Sequence, residues 1–187
     1  GFESIKPESI KFMNKGVNRK YVQNQYKDAI KKLRKYGLQT WAAFTIGHDT
    51  DTIESIKATM KFALKNKFCF AAYNILMPYP GTKLYDELKK ENRLIYDGKW
   101  WLHPEYKFNY CAYIPKNMTP PEVGYWCRKS FNSISSVIYR FFEPQTNMRN
   151  PIRMFTYLAY NPVFRREVFE KQGMTFGCKE KDEEAKK

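Results

Sequence analysis

The chain has 187 residues, of which 43% are hydrophobic and 17% aromatic, a composition that excludes a disordered or fibrous protein. It contains no signal peptide and no apolar run of about eighteen residues, so a cytoplasmic protein without transmembrane segments is expected. The formal net charge is +14, and the basic excess lies before residue 38 and after residue 122. Lysines on solvated helix faces are the common explanation for such an excess, and an anionic partner is the alternative.

The first residues, Gly1-Phe2-Glu3-Ser4, have the pattern of a strand end. A short helix is predicted over residues 4–15, because Pro7 lies near its start. A longer helix is predicted over residues 18–33, where apolar residues recur at spacings of three and four, and Gly37 supplies its C-terminal stop. Since the chain starts without Met and leaves no room for a first strand, we expect it to be a fragment of a longer protein.

Residues 38–82 are the centre of the predicted fold. Two apolar runs, 38–46 and 69–77, are predicted to be strands covered on both faces, because neither shows clean polar alternation. Asp51 or Thr52 caps the helix between them. Strand, helix and strand in this order predict parallel pairing through a right-handed crossover, with ligands at the carboxyl ends of the strands.

The second half of the chain is predicted to be an irregular connection followed by helices. The aromatic segment 96–113 shows no sustained helical period, and its Trp100, Trp101 and His103 either line an opening or pack in the core. Thr119 begins a strong helix with a T-x-x-E capping box, and its apolar stripe continues to Phe141. The remaining predicted elements are helices over 83–92, 151–160 and 162–172 and a disordered tail from residue 179.

Four cysteines, Cys69, Cys111, Cys127 and Cys178, are widely separated in the sequence. No CxxC or CxxxCxxC spacing occurs, so no metal or iron–sulfur ligand is predicted, and the thiols are expected to be buried.

Four features together resemble the second half of a radical SAM domain over residues 1–95. They are Gly-x-Glu-Ser at the N-terminus, the Met13-Asn14-Lys15-Gly16 turn, Ile46-Gly47 before an acidic helix start, and Pro80-Gly81-Thr82 after the last strand. Residues 96–101 and the helix after Met118 resemble the C-terminal extension of the subgroup whose members often carry a cobalamin-binding domain. The implied units are the half barrel 1–95, the aromatic connection 96–118, the helical extension 119–178 and the tail 179–187.

The resemblance implies an α/β fold, namely a partial parallel (β/α) barrel fragment with a helical C-terminal extension. Radical SAM domains hold a [4Fe-4S] cluster on a CxxxCxxC loop and cleave S-adenosylmethionine to a 5′-deoxyadenosyl radical, and the subgroup implies cobalamin as a further cofactor. This sequence lacks that loop. We therefore expect the chain to supply the cofactor-cradling, substrate-side wall and to be inactive without a missing N-terminal half, its expected partner together with an unknown organic substrate.

The resemblance also assigns cofactor-binding residues near the N-terminus. Glu3 matches the strand-end acid beside the cofactor, where a carboxylate accepts hydrogen bonds from ribose hydroxyls or an ammonium group. The alternative for Glu3 is an acid that stabilises a helix N-terminus. Ser4 shares the cofactor position, and Lys15 stands where relatives place a basic residue near the cofactor carboxylate, although a solvated lysine explains it equally well.

The remaining assigned residues follow the two strands. Gly47 allows the backbone to approach the adenine or ribose, and it also suits a tight strand-to-helix turn. Relatives commonly show Gly-x-Pro-x-Glu at this position, and this chain departs from that pattern. Met77 and Pro78 match the last strand end, whose backbone faces the adenine. His48 is the candidate catalytic residue as a proton donor or acceptor, because an unperturbed imidazole titrates near neutrality; a structural role is the alternative.

Two functions of other classes stay open. One is a basic binding module for nucleic acid or another anionic partner, although aromatic and basic residues do not interleave in one stripe, so nucleic acid is disfavoured. The other is a scaffold, because two strands and a strand end cannot close a barrel. The inner face of the sheet would then be open or covered by the C-terminal helices.

Overall fold

Two parallel strands, β1 (Trp41–Ile46) and β2 (Phe70–Ile75), form the sheet at the centre of the computed structural model. The structure describes residues 1–14, 25–106, 111–117, 123–166 and 168. Its helices are α1 (Pro7–Phe12), α2 (Gln25–Lys35), α3 (Ile53–Lys65), α4 (Lys83–Lys90), α5 (Val123–Phe131), α6 (Ile134–Phe141) and α7 (Pro151–Arg166), with 3-10 turns at Tyr96–Gly98 and Trp100–Leu102. The mixed α/β class and the parallel pairing are as predicted, and the strands are shorter than the apolar runs that contain them.

The N-terminal residues lie beside β1 and pair with it in parallel. The Phe2 and Glu3 N–H groups both donate to the Ala43 carbonyl, at 3.0 and 2.9 Å, and the Thr45 N–H donates to the Glu3 carbonyl at 2.8 Å. The bridge between Glu3 and Phe44 confirms the predicted strand end. Glu3 has a φ of 60°, a left-handed conformation that costs a non-glycine residue roughly 1–2 kcal/mol. This bulge turns the Glu3 side chain toward Thr45, while the Phe2 ring stacks on Phe44.

The sheet buries one face only. The buried face carries Ala42, Phe44 and Ile46 in register with Ala71, Tyr73 and Ile75. Helices α3 and α5 cover it, with Ile56, Met60, Cys127 and Phe131 in the same hydrophobic core. On the opposite face Thr45 is half-buried, Asn74 is exposed and Trp41 is 62% exposed. The prediction that both strands are covered on both faces is therefore wrong, because small residues such as Ala43 and Ala72 make the open face apolar in sequence without being buried.

Buried arginines from the C-terminal helices cover the edge of β2 that does not pair with β1. Arg128 of α5 donates to the Tyr73 carbonyl at 2.8 Å. Arg140 of α6 donates to the Phe68 and Cys69 carbonyls at 3.0 and 2.6 Å. An unpaired strand edge is a liability in a sheet, and here side-chain donors replace a further strand.

The helix predicted to continue to Phe141 is in fact two helices, α5 and α6. Ser133 caps α6 by accepting a hydrogen bond from the Ser136 N–H at 3.3 Å, and the Ser136 hydroxyl donates to the Phe131 carbonyl at 2.7 Å. These local side-chain bonds satisfy both helix ends and favour a break over continuation. The predicted start at Thr119 with its capping box lies outside the described residues.

The helices predicted over 151–160 and 162–172 form the single helix α7 as far as Arg166, with Pro162 in its interior. Proline lacks an N–H group and crowds the preceding turn. The helix continues because Tyr157 and Asn161 are buried against the domain and Asn161 Nδ2 donates to the Tyr157 carbonyl at 3.0 Å, while Pro162 faces outward.

Among the helices that the structure describes, none is both long and apolar enough to cross a membrane. The predicted disordered tail, 179–187, lies outside the described residues.

Candidate functional site

A cavity of about 450 Å³ lies at the carboxyl ends of β1 and β2, the edge at which the sequence predicts ligand binding. Its polar lining consists of Glu3, Thr45, His48, Lys83 and Glu87, and its apolar lining of Phe12, Met13, Leu76 and Leu84. The volume falls within the range of about 300–1,000 Å³ that is typical of small-molecule sites. Mixed polar and apolar walls suit a ligand that has both a planar ring and polar groups.

Glu3 is held in place by a neighbouring strand residue. The Thr45 hydroxyl donates to Glu3 Oε2 at 2.9 Å, across the two parallel segments. A carboxylate has about four acceptor positions, and the place of Glu3 on the cavity wall makes it a candidate acceptor for a ligand. The geometry thus presents a fixed acceptor on the cavity wall.

His48 is the buried polar group of the cavity. Its side chain is 1% exposed, and neither ring nitrogen has a hydrogen-bond partner among the residues that the structure describes. Burial lowers the pKa of His48 below its ordinary value of 6.5, although the negative charges of Asp51, Asp49 and Glu3 act in the opposite direction. The imidazole is therefore neutral at pH 7, with one donor and one acceptor nitrogen.

An unpartnered buried polar group costs about 1–3 kcal/mol, and native structures hold few of them. The Phe12 ring lies 5.9 Å from the His48 ring, edge to face, and cannot satisfy either nitrogen well. Such a group next to a cavity indicates a place where a ligand completes the hydrogen bonds.

A tight turn after β1 fixes the backbone of His48. The Gly47 and His48 N–H groups donate to Asp51 Oδ2 at 3.0 and 3.1 Å, and the Asp51 N–H donates to the His48 carbonyl at 2.8 Å. Burial raises the pKa of Asp51, opposed by nearby His48 and by these backbone hydrogen bonds. Of the two predicted caps of α3, Thr52 is the one used, in a capping box with Ser55.

Gly47 is required by this turn and by a tyrosine behind it. Its φ is 99°, and a Cβ at this position would lie 3.1 Å from the Tyr113 hydroxyl, which donates to the Gly47 carbonyl. The tight-turn alternative of the sequence analysis is therefore confirmed. Gly47 is not among the described residues that line the cavity, so its contact with a cofactor stays a prediction.

A network of charged residues attaches segment 111–117 to the loop after β1. Arg93 donates to both carboxylate oxygens of Asp49 and also, through Nε, to the Ile114 carbonyl at 2.8 Å, while the Lys116 N–H donates to Asp49 Oδ1 at 3.2 Å. Burial alone would raise the pKa of Asp49, but hydrogen bonds from Arg93 and Lys116 bring the pKa below its ordinary 3.8. Sequence reasoning missed this network, because Asp49 and Arg93 are 44 positions apart and carry no local motif.

The other residues assigned to the cofactor lie near the cavity wall without being among its described lining. Ser4 is buried, and its hydroxyl accepts a hydrogen bond from the backbone two residues later at 3.1 Å. Met77 is half-buried, with Sδ 3.9 Å from the Tyr106 hydroxyl, and Pro78 is buried. Lys15 lies outside the described residues. The cofactor roles of Ser4, Met77, Pro78 and Lys15 stay predictions.

Sequence reasoning missed Lys83 and Glu87, which face the cavity from α4. Thr82 caps this helix by accepting from the Tyr85 N–H at 3.3 Å. The Pro80-Gly81-Thr82 turn after β2 was the sequence signal that could have predicted these two residues, because it brings the next helix back to the same sheet edge.

In the described part of the aromatic segment, Trp100 packs on α4, and no residue is among the cavity lining. Trp100 is buried with its ring 6.3 Å from that of Tyr85, and His103 stacks on Tyr96 at 3.9 Å. Neither tryptophan of this segment nor His103 is among the described lining residues. The core-packing alternative is therefore confirmed for Trp100.

The three described cysteines do not fit an iron–sulfur cluster. Cys69, Cys111 and Cys127 are buried, as predicted, and Cys178 lies outside the described residues. Burial raises the pKa of Cys69 and Cys127 to about 12, and the Cys111 thiol donates to the Tyr113 carbonyl at 2.9 Å. Within the described ranges no group of three His, Cys, Asp or Glu side chains could hold a metal ion.

No protein-family model matches this chain. It is 38% identical over 93 residues to bacteriochlorophyllide d C-12(1)-methyltransferase of Chlorobaculum tepidum, a match that covers 50% of this chain and 20% of that protein. It is 37% identical over 95 residues to an uncharacterized methyltransferase of Pyrococcus horikoshii, covering 51% and 20%, and 29% identical over 97 residues to hopanoid C-2 methylase of Rhodopseudomonas palustris, covering 52% and 18%. The matched segment thus spans about a fifth of these relatives, and all three are named for methyl transfer.

Proposed function

We propose that the chain forms one wall of an S-adenosylmethionine site in a radical SAM enzyme that methylates an organic substrate. The observation that carries this proposal is the cavity at the strand ends, where Glu3 and the unpartnered His48 line the same space. The relatives named for methyl transfer support the reaction type. In this proposal the parallel strands and the Glu3 segment are the second half of a partial (β/α) barrel.

The cavity lining fits the chemistry of S-adenosylmethionine. Glu3 would accept hydrogen bonds from the ribose hydroxyls or the ammonium group, and its bond to Thr45 holds the carboxylate in position. Neutral His48 would offer one donor and one acceptor to the edge of the adenine or to the ribose. Leu76 and Met13 would contact the ring faces. When bound, S-adenosylmethionine supplies the methyl and adenosyl groups for the chemistry.

The iron–sulfur cluster of such an enzyme would be bound by a segment other than this chain. Because the described cysteines are buried and scattered, we assign to this chain the binding and orienting of the cofactor, and no redox step. A CxxxCxxC loop, and cobalamin if the enzyme uses it, would belong to a partner segment of the same enzyme. This chain on its own is then a binding wall without turnover.

The test is a calorimetric titration of the chain with S-adenosylmethionine. Replacing Glu3 with Gln removes a charge-assisted acceptor, so we expect affinity to fall about tenfold, which is about 1.4 kcal/mol. Glu54→Gln is the matched control, because Glu54 is exposed in the first turn of α3 and should leave the affinity unchanged. Equal affinities of the Glu3→Gln variant and the unmodified chain, or no binding at all, would contradict the proposal.

A further inference from the structure

Helices α6 and α7 expose an unusually apolar surface on the side away from the cavity. Ile152 and Phe155 are 75% and 74% exposed, and Ile134 is 63% exposed. We use the name α6–α7 surface for Ile134, Ile138, Ile152, Phe155, Leu158 and Val163, all at least half exposed. Contiguous apolar patches on a protein surface mark interaction sites.

The pattern along α7 shows that this exposure is not a by-product of core packing. Tyr157 and Asn161 lie on its buried face, whereas Ile152, Phe155 and Val163 recur at helical spacing on the opposite face. A surface helix normally turns its apolar face inward, whereas α7 exposes large apolar side chains on its outward face. The outward face is therefore available for a partner.

A groove of about 280 Å³ joins the two helices into one surface. It is lined by Ile134, Val137 and Ile138 of α6 and by Asn161, Pro162 and Arg165 of α7. Apolar side chains of both helices therefore line the groove, with Asn161 and Arg165 as its polar residues.

Within residues 133–166, the charged side chains that the structure exposes are arginines. This stretch contains five arginines, of which Arg140 is fully buried and bonded within the fold, and one acid, Glu143. Glu143 is buried and accepts a hydrogen bond from the Thr146 hydroxyl at 2.6 Å, so it does not offset the exposed arginines. Arg149 and Arg166 are exposed. A complementary partner is therefore apolar and anionic.

We propose that the α6–α7 surface docks on an anionic lipid bilayer. Apolar side chains of this kind enter the boundary between headgroups and acyl chains, and arginines at the rim pair with lipid phosphates. A second copy of the chain fits less well, because a two-fold interface would place the same arginines against each other. This proposal stands independently of the S-adenosylmethionine site.

Vesicle flotation of the chain tests the docking. We expect the chain to float with vesicles of phosphatidylcholine and phosphatidylglycerol, to bind phosphatidylcholine alone more weakly, and to be released by salt. The double variant Ile152→Ser/Phe155→Ser should bind at least about tenfold more weakly, because it removes two large apolar side chains from the docking face. Both residues are exposed, so the far-UV circular dichroism should be unchanged.

Leu102→Ser/Ile114→Ser is the matched control, because these side chains are 70% and 53% exposed outside the α6–α7 surface. This control should bind vesicles as the unmodified chain does. Flotation that is absent, or that is unchanged in the Ile152→Ser/Phe155→Ser variant, would overturn the proposal. A dimer in sedimentation equilibrium that this variant converts to monomer would also overturn it, in favour of a second copy.

Discussion

Two fully buried polar side chains, Arg140 and His48, lie in opposite surroundings. Arg140 at the far edge of β2 donates to the carbonyls of Phe68, Cys69 and Phe131 and packs 3.9 Å from the Phe131 ring. His48 at the strand ends has no hydrogen-bond partner among the described residues.

This difference separates a structural polar group from one available for function. Hydrogen bonds that are all internal to the fold stabilise the native state and leave nothing for a ligand. A buried group without them lowers stability and gains free energy when a ligand arrives. Both terminal nitrogens of Arg140 are thus bonded within the fold and only its Nε has no partner among the described residues, whereas neither ring nitrogen of His48 has one.

The largest expected effect comes from removing the arginine. Arg140→Met keeps the length of the side chain but removes the donor to the Phe68 and Cys69 carbonyls in the interior. We expect a loss of about 3–5 kcal/mol in the free energy of unfolding, measured by urea denaturation. Arg149→Met, at an exposed position, is the control and should change stability by less than about 0.5 kcal/mol. A small effect of Arg140→Met would mean that the helices cover β2 without these bonds.

A smaller effect is expected from the network behind the His48 loop. Asp49→Asn and Arg93→Met should each cost about 1–2 kcal/mol, with a coupling energy of about 1 kcal/mol in a double-mutant cycle, because both side chains are mostly buried. The pKa of Asp49 is lower in the folded chain than its ordinary value of 3.8. The ion pair therefore stabilises the fold fully above pH 3.8, and this stabilisation is lost as the pH falls through the folded-state pKa. Additive single effects would show that the ion pair does not hold the loop.

The smallest expected effect is the pH dependence from His48. Because its pKa is lowered in the folded chain, only the unfolded chain takes up the proton as the pH falls below 6.5, and stability decreases. His48→Gln should remove that decrease below pH 6.5. The pKa of Asp51 is raised in the folded chain, so the folded chain takes up this proton first as the pH falls. Asp51 therefore increases stability as the pH falls from its folded pKa to 3.8. An identical pH profile for His48→Gln would show that the imidazole is not buried in its neutral form.

Much of the fold follows from local pattern. The order of strand, helix and strand predicted the parallel pairing, and the strand-end position of Glu3 and His48 predicted a shared edge. The break before Ser133 was missed, because Ile134 and Ile138 continue the apolar period of the preceding helix although both are exposed. Periodicity gives the spacing of apolar residues but not whether the face they form is covered.

The supporting parts of the site could not be predicted from the sequence. Tyr113 donates to Gly47 across 66 positions, and Arg140 reaches Phe68 across 72. Such contacts depend on how the C-terminal half of the chain packs on the sheet, and no short motif encodes that packing. Glu3 and His48 were found because they stand at strand ends, whereas Thr45 was missed and Lys83 and Glu87 required the position of α4.

The most direct test of the central claim is a ¹H–¹³C NMR titration of the chain with S-adenosylmethionine, observed at its two histidines. His48 lines the cavity, and His103 is stacked on Tyr96 outside the cavity lining, so His103 serves as an internal reference. We predict a saturable shift of the His48 imidazole signals, reduced in Glu3→Gln, with the His103 signals unchanged. Signals of His48 that do not move, or that move together with those of His103, would contradict a cofactor site at the strand ends.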